Sequence, residues 1–533
     1  MNPTLIGGIG VAVASLLAIT AAGAAEAPKH GGTLRVEHRD NPPSASILEE
    51  ATISTVMPFA AVFNNLVTFG TRTDQDRADD IVPDLAESWA WNPAGTALTF
   101  KLRHGVRFHD GRPFTAADVK CTFDLILGKG ETRLRKNPRR SWYFDLKDVT
   151  TTGDDQVTFN LDAPEPSLLT MLASGFAPIY PCGATAADQR THPIGTGPFK
   201  FVSWQQNESI KLARNPDYFK AGLPYLDAIE YTIIPNRSTA LLAFEAGKYD
   251  LTFVSDIPPI LLKDIKAQDP NAVCLSQPNN TQANLLVNFA HKPFDNPEVR
   301  RAMMLSLDRR AFVDILSQGV NKIGGAMLPP PAGIWGMPED YLKNVVGYGP
   351  DVAANRAEGR KIMAGLGYGP DKMLDVKIET RDIASYRDPA VILIDHLKNV
   401  FIQGTLEPLD SAVWYARLAR KDYAVAMNVQ GIAVDDPDVV LFETYACKSE
   451  RNYTGYCNPA LEKLFHEQSE STDFAKRRQM VWNIDQKLQE DGARPVIMHN
   501  VAVTCWQPYV HGVHLPVNSI YDHWRFEDVW LDK

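Results

Sequence analysis

Two turns built from glycine and proline, closing off a pair of alternating runs, constrain this chain more than any other stretch. Residues 193–219 read PIGTGPFKFVSWQQNESIKLARNPDYF. Gly195 and Gly197 flank Thr196 and are expected to supply backbone angles closed to other residues, with Pro198 fixing the next one. Phe199, Phe201 and Trp204 form a short β-rich run. Ile210 and Leu212 alternate with Ser209, Lys211 and Ala213 on the way back, and Gln205 to Glu208 is a polar connection of hairpin length. Asn215-Pro216-Asp217 ends the unit with turn chemistry. On pattern alone this is a β-hairpin at the edge of a sheet.

The chain around it has 533 residues, enough for two or three domains. A net charge of −10 argues against nucleic acid or an anionic membrane as a partner. Leu5 to Ala25 carries no charged side chain, and Ala22-Gly23-Ala24 offers a small-x-small cleavage pattern. Residues 1–25 therefore read as a secretory signal, with an uncleaved membrane anchor as the alternative. No cysteine ends the run, so no lipid anchor is expected. Export permits disulfides. Cys447 and Cys457 flank a short polar loop, KSERNYTGY, and are expected to pair. The other four cysteines leave several connectivities open. Cys121–Cys182 and Cys274–Cys505 are taken here, with buried free thiols as the alternative.

Strand and helix signals are mixed throughout, which makes the class α/β. Val82 to Trp91 reads as a turn joined to a short helix. Thr115 to Leu127 is a helix, with Thr115 and Asp118 placed for a near capping box. Asp154-Asp155 marks a hairpin within Thr150 to Leu161. Asn296 caps a helix that has Pro297 at its first position. Further helices are expected at Pro389–Val400 and Ser411–Ala419, the latter between strands at Leu406–Leu409 and Tyr423–Gln430. The catalytic patterns G-x-S-x-G and H-E-x-x-H and a Walker loop are missing. His104, His109 and His192 are scattered without metal-ligand spacing, so no metal and no cofactor are expected.

Several long motifs in fixed order carry a resemblance. They are VPDLAESW at residues 82–89, GVRFHDGRPFTAADV at 105–119, the stretch from PIGTGPFKF to NPDYF, FDNPEVRRAMMLSLDR at 294–309, and the acidic turn DDPD followed by the cysteine loop. Through them the chain resembles the bacterial extracellular solute-binding proteins of family 5, the oligopeptide, dipeptide and nickel receptors of ABC importers. The resemblance implies a two-lobed periplasmic-binding-protein fold with the ligand in the interlobe cleft. The first lobe would span 26–289, with an extra subdomain at about 60–185. The second would span 290–503, and 504–533 would return to the first. It also implies a small-molecule or short-peptide ligand, permease subunits in the inner membrane as partners, a monomer, and no enzymatic step. A secreted hydrolase of polysaccharide or peptide, and a receptor used for sensing or chaperoning, are the alternatives.

In peptide receptors of this family an aspartate just before the acidic turn holds the ligand's amine. Alignment on Asp436-Pro437-Asp438 puts Ala433 there; Asp435, two residues further on, could substitute if the loop shifts, and Asp436 beside it is taken as a further ligand-binding candidate. Gln430 or Gly431 stands where an aromatic residue is usual, and Gln430 could hydrogen-bond an amide or hydroxyl. Arg381 follows a second-lobe strand and could meet a ligand carboxylate bidentately. Trp414 begins a helix near the expected cleft. Asn288 ends the strand crossing towards the second lobe. Ser44 lies in a loop resembling a cleft-lining one. Nickel receptors bring a histidine into the cleft, and none occurs between Leu397 and Phe465.

Overall fold

Two long antiparallel strands, Val273–Val287 and Val496–Trp506, run through the middle of the molecule and belong to both lobes. The computed structural model describes residues 27–130 and 132–533; the expected signal segment lies outside them. At one end the strand pair is alone, from Val273 opposite Trp506 to Pro278 opposite Val501. There a bridge from Leu251 to both Val36 and Trp506 ties it to the first lobe. At the other end Thr281 to Val287 pairs with Val425–Gly431 and becomes part of a five-stranded sheet. That sheet runs Ile402–Leu409, Leu374–Arg381, Val425–Gly431, Val273–Val287, Val496–Trp506. Its parallel members need crossovers, which helices Ala384–Lys398 and Ser411–Arg420 supply.

Between the two ends the register slips. Pro278 faces Val501 while Gln282 faces His499, so Asn279 to Thr281 sit opposite Asn500 alone. Asn280 takes φ 53°, a left-handed conformation that asparagine tolerates better than most residues. A bulge of this kind bends and twists its strand, and here it falls where the chain passes from one lobe to the other. Cys274 and Cys505, directly opposite in the ladder, are bonded on the first-lobe side of it. Cys121–Cys182 and Cys447–Cys457 are bonded as well.

The first lobe holds a four-stranded sheet in the order Thr33–His38, Ala228–Ile233, Ser209–Arg214, Phe199–Gln205. The extra sheet, Ala86–Trp91, Ala97–Leu102, Gln156–Leu161, Leu146–Thr152, is antiparallel and packs against helix Ala116–Leu127. Thr115 and Asp118 form the capping box of that helix. In the second lobe Asn296 accepts from Glu298 N–H at the start of helix Pro297–Ser306. Val299 and Met303 of that helix are buried with Ile378 and Leu397.

Two local readings change. Residues 86–91 form a strand and not the expected helix. From Trp89 the pattern has period two, with Trp89 and Trp91 half-buried and Ser88 and Ala90 exposed, and pairing with Ala97–Leu102 decides the outcome over local preference. The opening hairpin forms as read, Phe199–Gln205 against Ser209–Arg214, but its glycines serve a different purpose. Neither Gly195 nor Gly197 has positive φ. Instead Gly197 N–H donates to Val62 O at 2.9 Å. A Cβ on Gly195 would lie 2.2 Å from that oxygen, and one on Gly197 would lie 2.4 Å from Ala61 O. Thr196, between them, is buried and donates to Asn64 Oδ1 at 3.1 Å. The stretch is framework, locked against the backbone of residues 60–63.

Gly197→Ala must therefore displace backbone. It is expected to lower unfolding stability by about 2–3 kcal/mol, read from the urea midpoint. Gly365→Ala, at a helix end with open space around it, is expected to be neutral or stabilising by up to about 1 kcal/mol.

Candidate functional site

A cavity that both lobes line lies beside the strand bulge. The first lobe contributes Arg39, Thr52 and Ser255, and the bulge itself contributes Thr281. The second lobe contributes Tyr386 and Tyr415 from its helices, Asn428 and Gly431 from strand Val425–Gly431, and Arg451 and Tyr453. The last two stand in the loop closed by Cys447–Cys457, so that disulfide holds pocket residues in place. Tyr521 arrives from the C-terminal return. Gly431 is required here, because a Cβ would come within 2.5 Å of the Tyr521 hydroxyl.

Buried polar contacts join the lobes around this cavity. Arg381, at the end of strand Leu374–Arg381, is fully buried and reaches Asp40 of the first lobe at 2.5 Å. It also donates to Ser54 Oγ at 3.1 Å and to Ser411 Oγ at 2.6 Å, and its guanidinium lies 5.3 Å from the Tyr415 ring centroid. Burial alone would raise the Asp40 carboxyl, but the Arg381 and Arg39 charges beside it hold it well below the usual carboxylate range. The same pairing keeps Arg381 firmly charged despite its burial. A second contact centres on Glu443, which accepts from Arg139 at 2.7 Å and from Trp142 Nε1 in the extra subdomain, and from Arg451 in its own lobe. Asp438 accepts from Ser167 Oγ at 2.7 Å, Arg237 reaches Asp388 at 3.2 Å, and Phe144 stacks on Phe442 with centroids 3.7 Å apart.

The residues singled out from sequence fall in several places. Arg381 lies at the interface but is engaged by Asp40. Gln430 turns to the other side of its strand and donates to Thr444 Oγ1 at 2.8 Å. Asp435 accepts from Ile334 N–H at 2.9 Å, under the proline-rich loop, and its carbonyl accepts from Trp335 Nε1. Asp436 caps helix Pro437–Thr444 and binds Arg477 at 2.8 Å. Asn288 ties Lys421 O and Tyr423 O to the bend at Ala290. Ser44 donates to Glu50 at 3.0 Å. Trp414 is wholly buried against Leu286, Leu418 and Tyr423, and its neighbour Tyr415 is the residue that lines the cavity. Arg39, Tyr386, Arg451, Tyr453 and Tyr521 were not singled out. The one available signal was the pairing of Cys447 with Cys457, which makes every residue between them a candidate for precise placement.

Burial pushes the Asp435 carboxyl up to about 7, opposed by the Ile334 N–H. The folded chain thus keeps a proton there that the unfolded chain releases near pH 4, and the stability this contributes is lost as pH rises from about 4 to 7. Asp435→Asn keeps an acceptor for Ile334. It is expected to stabilise the protein by about 1–3 kcal/mol at pH 8 and to change little at pH 4, measured by chemical unfolding at both pH values.

Similarity to known proteins places the chain in a family. The sequence pattern of the bacterial extracellular solute-binding proteins, family 5 Middle, matches residues 80–452. The chain is 26% identical over 528 residues to the probable di/tripeptide-binding protein 5 of Pseudomonas aeruginosa, covering 91% of this chain and 93% of that one. Its fold is similar to the periplasmic binding protein DppA of Helicobacter pylori in complex with the peptide STSA, with TM-score 0.83, 23% identity, and 95% and 99% coverage. It is also similar to the binding protein AgaA of A. tumefacien R10 in complex with agropinic acid, with TM-score 0.80, 22% identity, and 94% and 99% coverage. The chain belongs to the bacterial extracellular solute-binding proteins, family 5.

Proposed function

We propose that this protein is the periplasmic substrate-binding component of an ABC importer. It captures a small organic or peptide-like solute between its lobes and delivers it to a membrane permease. The observation that carries the reading is a cavity lined by both lobes at the bulge in the two strands that join them. A solute touching both walls favours the closed form through contacts it makes only there. The lobe boundary is best set within Asn279–Thr281 and at Asn500, earlier than residues 289 and 503. Residues 1–25 act as the export signal, and the mature protein works as a monomer. Relatives named for di- and tripeptides, and a fold neighbour solved with agropinic acid, are consistent with a solute of this size. No bond is made or broken in the cycle.

The test combines small-angle scattering and thermal unfolding of the mature protein with candidate solutes. A smaller radius of gyration, a higher melting temperature following RT ln(1 + [L]/Kd), and full recovery of unchanged solute are expected. Turnover of the solute would defeat the reading. Arg381→Met leaves buried Asp40 with only the more distant Arg39 charge at 3.8 Å, and breaking a buried pair in this way costs about 3–5 kcal/mol. It is expected to open the unliganded form and to weaken solute binding by about a hundredfold or more. The double change Asp40→Leu with Arg381→Met is expected to recover part of that loss, measured by scattering and calorimetry on the same samples.

A further inference from the structure

Arg39 is a buried cation with little to bind it. It is 5% exposed. Among the described residues its Nε has no hydrogen-bond acceptor, and its ion pair is Asp40 at 3.8 Å. That carboxylate is already held at 2.5 Å by both Arg381 and Ser411, and accepts from Ser54 as well. What supports Arg39 is the Phe253 ring, 4.7 Å from its guanidinium carbon. Across the same cavity Arg451 is 6% exposed; it spends one nitrogen on Glu443, and its Nε too has no acceptor. Glu443 in turn is shared with Arg139. An arginine buried without partners is costly, and each orphaned donor adds to the cost.

The charges around the cavity do not balance. Arg39, Arg381 and Arg451 face it or bound it, against Asp40 and Glu443, and Glu443 also answers to Arg139. Glu37, the other carboxyl nearby, is pushed up to about 8 by burial and by Asp256 beyond it, with its Oε2 accepting from Phe253 N–H. His38 is pulled down to about 4 by burial and adds no charge at neutral pH. Among the described residues that line the cavity, none is a carboxylate that could receive an ammonium group. Asp435 is turned under the loop at Ile334, Asp436 is bound by Arg477, and Ala433, buried, offers only a carbonyl that Ser519 already occupies. Four phenols, Tyr386, Tyr415, Tyr453 and Tyr521, share the remaining wall with uncharged side chains such as Thr52, Ser255 and Asn428.

We infer that the solute is an organic acid whose carboxylate is received by Arg39 and Arg451 from opposite walls, and that it needs no free primary amine. This rests on the receptor reading above and narrows it to amino-acid-derived acids with a substituted or absent amine. Guanidinium groups on both lobes suit a carboxylate, because each can offer Nε and a terminal nitrogen in one plane. An anion between them also offsets their mutual repulsion, so binding and closure reinforce one another.

The test uses the full mature protein. A bacterial metabolite extract is split on ion exchangers into anionic, neutral and cationic pools, and each is assayed by thermal shift. N-acetyl-Ala-Glu, free Ala-Glu and the N-acetyl bis-amide are titrated by calorimetry alongside. Stabilisation confined to the anionic pool is expected. N-acetyl-Ala-Glu is expected to bind about tenfold or more tightly than either comparison compound. Arg39→Gln should remove the preference for acid over amide, and Arg39→Lys, which keeps the charge, should retain part of it. Stabilisation by the cationic or neutral pool overturns the inference and leaves the receptor standing, as does tighter binding of free Ala-Glu or of the bis-amide. An unchanged acid-to-amide ratio in a folded Arg39→Gln overturns it too. No shift from any pool defeats the receptor reading and this inference with it.

Discussion

The molecule depends on one strand pair that must be rigid along most of its length and pliable at one point. Val273–Val287 and Val496–Trp506 carry the mechanical link between the lobes. Ladder pairing on either side of the crossing resists bending, and the Cys274–Cys505 bond prevents the pair from separating at the first-lobe end. The largest break is at Asn279–Thr281, where three residues face one; a smaller register step follows between Ala283 and Asn284. Asparagine and threonine fit such a place because their side chains can satisfy the local backbone and each other. Thr281 Oγ1 donates to Asn279 Oδ1 at 2.8 Å, and Asn280 reaches Asn518 O at 3.0 Å. A hinge built this way would direct motion into one narrow zone, and the cavity lined by both lobes sits against it.

Closure then needs contacts that are worth little when the lobes part and much when they meet. Buried ion pairs have this property. Asp40 and Arg381 would each be well hydrated in an open form, and desolvating them offsets most of their attraction. The closed form is therefore close to balance, which a receptor needs if a solute is to tip it. A purely apolar interface of the same size would close without solute. The stacked Phe144 and Phe442 pair supplies some of that apolar drive at the far edge, away from the cavity.

Much of the fold was legible because it is written locally. Caps at Thr115 and Asn296, the Asp154-Asp155 turn and the hairpin around residues 205–208 all rest on neighbours a few residues apart, and they form as read. What was misread depends on distant partners. The strand at Ala86–Trp91 exists because Ala97–Leu102 lies beside it. Gly195 and Gly197 are needed because residues 61–63, more than a hundred positions away, come within contact distance. A glycine reports only that a side chain is not wanted. Whether torsion or proximity is the reason becomes visible only when the neighbour is known.

The site was far less legible, and for the same reason carried further. Its wall is assembled from the first loop, the strand bulge, two second-lobe helices, the Cys447–Cys457 loop and the C-terminal return, and no window of sequence contains two lobes at once. Charge counting along the chain also misled. Asp435 and Asp436 stand in an acidic turn that looks available, yet one is turned under a loop and the other caps a helix and binds Arg477. Arg381 looked free for a ligand and is instead the first lobe's partner. In a folded interior the informative charge is the one left without a counterpart, and only the full inventory of partners identifies it. That inventory singles out Arg39, an ordinary residue between a strand and a loop in sequence, as the group around which the cavity's chemistry turns.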